Sequence, residues 1–462
     1  MNIAIRALGI FLLGAFCSFA QIIVVHPDGT GDYPTIQAAI TAANTDDIIL
    51  LSAGTYTGDG NRDIRFLGKA VTVQCTKPQD PAIVAATIID CQGSQISPHR
   101  GFIFDSSEGS DSILDGITII NGYTGEMGGG VYCAMFSAPK ISRCRIINNR
   151  ANYGGGIYCN TQLAGTVVIY ECILTNNFAA THGGGIYIDW KTYLTLTHCM
   201  VTGNEAAGSG GGIYLDQPYN TDSMITNSTI TGNRAASGGG LYIYGKSHLI
   251  KNNILWDNCA DSGPDLYNYI SPRTGGYGIT VSYTLLDSAK AYGIKDIAYG
   301  PGLITSDPAF AIPGYWDDQG TPDDESDDTW VEGDYHLMSQ AGRWNPASTT
   351  WICDDVTSPC IDAGNPLDVW AEELWPHGKR INIGAYGNTP QASMSLSDAG
   401  NIADFHGDDK VDGNDFNLIA AQWQIEAALI QADLDRDGMV NINDLSLFCE
   451  NWLNPLFNSP QF

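Results

Sequence analysis

The chain has 462 residues, of which 51 are acidic and 22 basic, giving a formal net charge of −29. That balance argues against nucleic acid and anionic membrane as partners and favours a cation such as calcium. After the N-terminal segment no apolar run reaches the roughly 18 residues that cross a bilayer as a helix, so no membrane insertion is expected.

Residues 1–20 carry Arg6, an apolar run from Ala7 to Phe16, and Ser18-Phe-Ala20, a small-x-small cleavage site. They read as a secretory signal peptide removed before Gln21, which predicts a secreted, extracellular or surface-associated protein. Eleven cysteines remain after cleavage, and Cys353 and Cys360, in a loop-rich segment, are the best disulfide candidate. Residues 31–44 form a short amphipathic helix, and a β-run over 47–56 follows it.

The middle of the chain repeats. Gly128-Gly-Gly-Val-Tyr132 recurs as Gly154 to Tyr158, Gly183 to Tyr187, Gly210 to Tyr214 and Gly238 to Tyr242, with starts 26, 29, 27 and 28 residues apart. Between them recurs Ile141-x-x-Cys144-x-Ile146-x-x-Asn149, echoed at Cys172 and Asn177, Cys199 and Asn204, and Ser228 and Asn233. Short period-2 strands, Gly-rich corners and a period near 27 predict a parallel β-solenoid of about ten turns over residues 45 to 300. Alternation points Ile157, Ile186, Ile213 and Leu241 inward. The cysteines stack as free thiols, and the asparagines pair from rung to rung at a corner.

Two outward columns carry candidate chemistry. Asn160, Asp189, Asp216 and Tyr244 sit two residues past a tyrosine ladder, and the strand repeat places the Asp189 and Asp216 carboxylates on the order of 5 Å apart. Such a pair binds a cation, shares a proton with one pKa raised, suits a retaining glycosidase, or is simply solvated. Asp189 and Asp216 are the catalytic candidates. The second column, Arg143, Glu171, His198 and Asn227, reads as a ladder of opposite charges, with His198 as a candidate base. Residues 301–388 lose the repeat and gain Trp316, Trp330, Trp344, Trp351, Trp370 and Trp375. They read as a C-terminal cap closing the solenoid, with tryptophans that bury the cap or bind sugar rings. The acidic stretch from Asp317 to Asp334 reads as a solvated loop, and residues 389–400 as a polar linker.

Residues 401–462 hold 11 acidic and 2 basic residues and write one twelve-residue loop twice. In the second copy Asp433, Asp435, Asp437, Met439 (through its carbonyl), Asn441 and Asp444 occupy positions 1, 3, 5, 7, 9 and 12, with Gly438 at the turn, which matches a calcium loop of EF-hand type. In the first copy Asp404, His406, Asp408, Lys410, Asp412 and Asp415 hold those positions, with His406 in place of an oxygen ligand and Asp409 in place of the glycine. Ca2+ is the expected cofactor. Each loop leads into a helix-period segment, Phe416, Ile419 and Trp423 matching Leu445, Phe448 and Trp452.

Three resemblances follow from these motifs. The solenoid repeat and the opening helix resemble the right-handed parallel β-helix superfamily of pectate lyases, in which such a helix covers the open N-terminal end. The Gly-Gly-Gly-Ile-Tyr units also resemble the repeats of polymorphic membrane protein adhesins. The paired acidic loops look like a type I dockerin, which implies calcium-dependent folding, a small all-α domain and a cohesin-type protein partner. No carboxylate cluster beside an exposed Arg or Lys maps onto the pectate lyase pattern. The expected architecture is an all-β single-stranded solenoid over residues 21–300, a cap, a linker and the dockerin-like domain. The expected function is polysaccharide degradation by a secreted glycoside hydrolase or lyase. The alternative is a non-catalytic glycan-binding or adhesin-like surface protein.

Overall fold

A computed structural model describes residues 20–452 except 163–164, 221, 270–277, 294–296, 322–326 and 398, so the expected signal peptide lies outside the described residues apart from Ala20. The repeats wind into a parallel solenoid with sheets of 11, 9 and 8 strands, in which each strand pairs with its counterpart one turn away. The register follows the repeat. Tyr158 lies beside Tyr187 and Tyr187 beside Tyr214, while Ile169 lies beside Leu196 and Leu196 beside Ile225. A smaller sheet of four strands, from Arg150–Tyr153 to Arg234–Ser237, precedes the glycine corners.

Alternation places the core as expected: Ile157, Ile186, Ile213 and Leu241, and Cys159, Ile188, Leu215 and Ile243, have no exposed surface and belong to one cluster running from Ile23 to Ile297. The glycine triplets exist because neighbouring turns touch there. A Cβ on Gly184 would lie 2.4 Å from both Glu205 O and Gly211 O.

The asparagine ladder closes one corner. Asn149, Asn177, Asn204 and Asn233 each donate from Nδ2 to Oδ1 of the next rung at 2.9–3.0 Å, and the chain of amides runs on through Asn258 to Asp265. An aspartate suits the last place because its carboxylate accepts without needing a further acceptor of its own. The other corner turns through Arg143, Glu171, His198 and Asn227, all at positive φ between 46° and 53°. Beside it Cys144, Cys172 and Cys199 stack as free buried thiols, and Ser228 and Asn253 continue their column.

Helix α1, Ile36–Ala42, begins at Thr35, whose hydroxyl accepts from Ala38 N. It buries Ile36, Ala39 and Ile40 on the core, and its Gln37 amide exchanges two hydrogen bonds with the backbone of Arg65, in the first strand of the 9-stranded sheet. That edge is thereby covered. Helix α2, Pro81–Ala86, is a lateral insertion.

Four expectations are corrected after residue 300. Among the described residues the segment forms two antiparallel hairpins, one of them enclosed by a third antiparallel pair, and lies along the solenoid's flank, where it acts as a buttress. Glu332 Oε2 accepts from the hydroxyls of Thr175 (2.6 Å) and Thr202 (2.8 Å), and Trp316 Nε1 donates to Gly232 O. The acidic stretch contains anchors as well as solvated groups: Asp328 pairs with Arg234 at 2.5 Å, and that guanidinium sits 4.1 Å from the Trp316 ring centroid. Cys353 is exposed and Cys360 buried, both as free thiols, because Cys360 packs into the buttress core beside Phe310 and Ile383. Much of the expected linker is packed: Ala392, Ser393, Met394 and Ser395 are buried, and Ser339 Oγ donates to Met394 O at 2.6 Å.

Two further α-helices follow among the described residues, α3 over Gly413–Gln422 and α4 over Ile442–Asn451. Each starts with a reciprocal cap, Asp412 with Asp415 and Asn441 with Asp444, and they share a small core around Ile419, Val440 and Phe448.

Candidate functional site

The 9-stranded sheet carries the tyrosine ladder outward, and it is longer than the glycine motif predicts. Tyr132, Tyr158, Tyr187, Tyr214, Tyr242, Tyr267 and Tyr292 stack with centroids 4.6–5.7 Å apart. Tyr267 and Tyr292 escape the motif because no glycine triplet precedes them; Gly263, at φ 59°, preserves only the corner. The middle of the ladder is not an open aromatic face, whereas Tyr292 at its end is exposed. Tyr158, Tyr187 and Tyr214 are buried, Tyr153 meets Tyr187 edge-on at 5.5 Å, and the His182 ring stacks on Tyr214 at 4.8 Å.

The carboxylate column lies at the edge of that ladder. Tyr158 donates its phenol proton to Asp189 Oδ2 at 2.5 Å, with Asn160 Nδ2 at 2.7 Å from the same oxygen, and Trp190 N donates to Asp189 Oδ1 at 2.7 Å. One rung on, Tyr187 donates to Asp216 Oδ2 at 3.1 Å. Each carboxylate therefore receives the phenol of the preceding turn. This arrangement is invisible in sequence because the partners are 31 and 29 residues apart. Both carboxylates are half-buried. Burial pushes the Asp216 carboxyl above the usual range, and the neighbouring charge of Asp189 pushes the same way, against the Tyr187 hydrogen bond. Burial, with the facing Asp189, likewise raises Tyr158. Beside the pair Trp190 is 48% exposed, with the Lys191 ammonium 5.5 Å from its ring centroid.

The second column is structural. Arg143 forks onto Asp115 at 2.9 and 2.5 Å and reaches Glu171 at 3.7 Å. His198 donates from Nε2 to Gly387 O at 2.8 Å, which leaves Nδ1 as the basic nitrogen; that atom is buried away from solvent, and burial lowers the pKa.

The two acidic loops share one backbone pattern. Asp415 accepts from Phe405 N and Asp412 N, and Asp444 accepts from Leu434 N and Asn441 N. Gly438 N and Asp409 N bond in the same way to Asp433 and Asp404. They differ where a cation would sit. In the second loop carboxylate oxygens of Asp433, Asp435 and Asp437 lie within 4.8 Å of one another, and the buried Asp433 Oδ1 has no hydrogen-bond partner. A buried, unpaired acceptor among three convergent carboxylates fits a hard cation that takes oxygen ligands. The Met439 carbonyl and Asn441, which caps α4, stand at the remaining loop positions. In the first loop both Asp404 oxygens accept backbone N–H groups, and the His406 ring bonds to Asp415 at 3.0 Å. Asp408 and Asp412 hold the Lys410 and Asn414 amides just as Asp437 and Asn441 hold the Met439 and Asn443 amides in the second loop. Among the described residues the first loop brings no comparable carboxylate group together.

Comparison with known proteins agrees with the solenoid. A family model for the right-handed β-helix region matches residues 36–199 and 171–288, and one described as disaggregatase related matches residues 315–364. No curated protein matches. Among solved structures, the pectate lyase Pel9A is similar at 14% identity and a TM-score of 0.42, over 80% of this chain and 96% of that one. With the two stretches matched by the solenoid model together covering more than half of its residues, the chain belongs to the right-handed β-helix family.

Proposed function

We propose that the protein is an exported β-helix that acts on a polysaccharide at the Asp189–Asp216 pair and is held in place through a calcium-folded C-terminal module that docks a cohesin-type partner. The observation that carries the catalytic part is the placement of a half-buried Asp216 beside Asp189 one rung away, where burial pushes the Asp216 carboxyl above its usual range. Neighbouring parallel strands are ~4.8 Å apart, close to the carboxyl separation of about 5–5.5 Å used by retaining glycosidases. In this reading Asp216 gives its proton to the leaving glycosidic oxygen, and Asp189 supplies the second carboxylate at the anomeric carbon. Exposed Trp190 offers a flat apolar face to a sugar ring. Asp433, Asp435 and Asp437, with the Met439 carbonyl, Asn441 and Asp444, would hold calcium, which would offset the charge of the carboxylates at the entry to α4.

A second reading is favoured by the same hydrogen bonds. Both carboxylates are tied to phenols, an arrangement that suits a rigid glycan-binding surface without turnover. Release of reducing ends from a panel of neutral and acidic polysaccharides in calcium, with unsaturated products followed in parallel, separates the two. Cleavage lost in Asp216→Asn and Asp189→Asn supports a hydrolase. Glycan retention with no cleavage across the panel supports the binding protein. Unsaturated products that persist in both variants place a lyase site elsewhere.

A further inference from the structure

The paired acidic loops face the flank buttress, and corresponding positions of both loops touch it. In the second loop the fourth residue is Arg436. It keeps part of its surface in solvent, but its guanidinium donates from Nη2 to Trp375 O, reaches Met394 Sδ from Nη1 at 2.8 Å, and lies 5.3 Å from the Trp351 ring centroid. In the first loop the fourth residue is Gly407, at φ 68°, where a Cβ would come within 2.9 Å of the Trp370 ring. The sixth residue of the same loop, Asp409, pairs with Lys379 of the buttress. Gln431 Nε2, two residues ahead of the second loop, donates to Ala371 O. Three of the six tryptophans between residues 301 and 388 thus meet the acidic loops.

We propose that the module is seated on its own buttress through this loop face, and that cation binding by the second loop and the seating on Trp351 and Trp375 reinforce one another. The physical link is short. Arg436 lies between Asp435 and Asp437, so the backbone that aims those carboxylates also aims the guanidinium, and fixing either end fixes the other. Reciprocity is then required: whatever the contact adds to calcium affinity, calcium adds to the contact. With the loop face covered, Phe416, Trp423, Ile442 and Trp452, each 38–66% exposed on or next to α3 and α4, remain for a protein partner. This inference rests on the calcium reading given above.

The test uses the full mature chain, stripped with chelator and titrated with Ca2+ by calorimetry, with tryptophan emission and limited proteolysis of the 396–401 segment read in parallel. The expected result is calcium-dependent protection of that segment and an emission shift. Arg436→Ala, which removes no cation ligand, should keep the stoichiometry and weaken calcium affinity roughly fivefold or more. Lys379→Ala, placed on the buttress, removes the partner of Asp409 while leaving every residue of both loops unaltered, and should lose protection in calcium. Unchanged affinity in Arg436→Ala together with calcium-independent protection overturns the coupling and leaves calcium binding intact. No calcium binding by the unaltered chain overturns both readings.

Discussion

Removing one amide from the corner ladder tests whether it stabilises the solenoid locally. Asn204 Nδ2 donates to Asn233 Oδ1, Leu174 O and Thr202 O at 3.0, 2.9 and 3.1 Å, while its Oδ1 accepts from the Asn177 backbone N–H at 3.1 Å and from Asn177 Nδ2 at 2.9 Å. Asn204→Ala deletes all five bonds. Asn177 Nδ2 keeps Ile146 O, but the buried Asn177 N–H loses its side-chain acceptor. An orphaned buried donor costs about 1–3 kcal/mol and each remaining net bond about 0.5–1.5, so a loss of about 4 kcal/mol is expected once partial relaxation is allowed. Because turns in a solenoid stabilise their neighbours, the damage should stay local. Hydrogen exchange read by mass spectrometry should show lost protection over residues 170–235 and near-normal protection around Ile49 and Val73. Asn148→Gly, at an exposed corner already at φ 57°, is the control and should change stability by less than about 0.5 kcal/mol. If Asn204→Ala costs under about 1 kcal/mol with unchanged protection, the ladder is ornamental and the reasoning fails.

Four other outcomes follow from named contacts. A Cβ on Gly232 would sit 2.0 Å from Trp330 Cη2, so Gly232→Ala should release the 315–331 hairpin to protease and cost about 2 kcal/mol, and adding Trp330→Ala should remove most of that penalty. Burial raises Asp265 to about 6, so stability should fall as pH rises from about 4 through 6, and urea melts of Asp265→Asn should lack that fall. Calcium should raise the melting temperature of the unaltered chain, as read by calorimetry; Asp435→Ala should abolish that rise and Asp408→Ala leave most of it. Tyr187→Phe removes the hydrogen bond that holds Asp216 down, so if Asp216 is the acid, the descending limb of the pH–rate profile should move to higher pH.

The sequence by itself determined the solenoid, its period, its inward residues, its free cysteines and the positions of both acidic loops. These are local or periodic properties: alternation assigns a face, and stacking repeats it every turn, so a pattern in one dimension becomes a ladder in three. Tertiary structure alone decided what the outward groups meet. Tyr158 and Tyr187 are paired with Asp189 and Asp216 by stacking across a full turn, and His198 is occupied by Gly387, 189 residues away. The buttress lies on the flank because Gly203 and Gly232 present bare backbone to Trp330, a fit made by shape between segments with no shared periodicity. The same holds for Arg436 on Trp351 and Trp375. A loop's spacing states what its carboxylates can bind, whereas only the folded chain shows which of its other residues already have a partner.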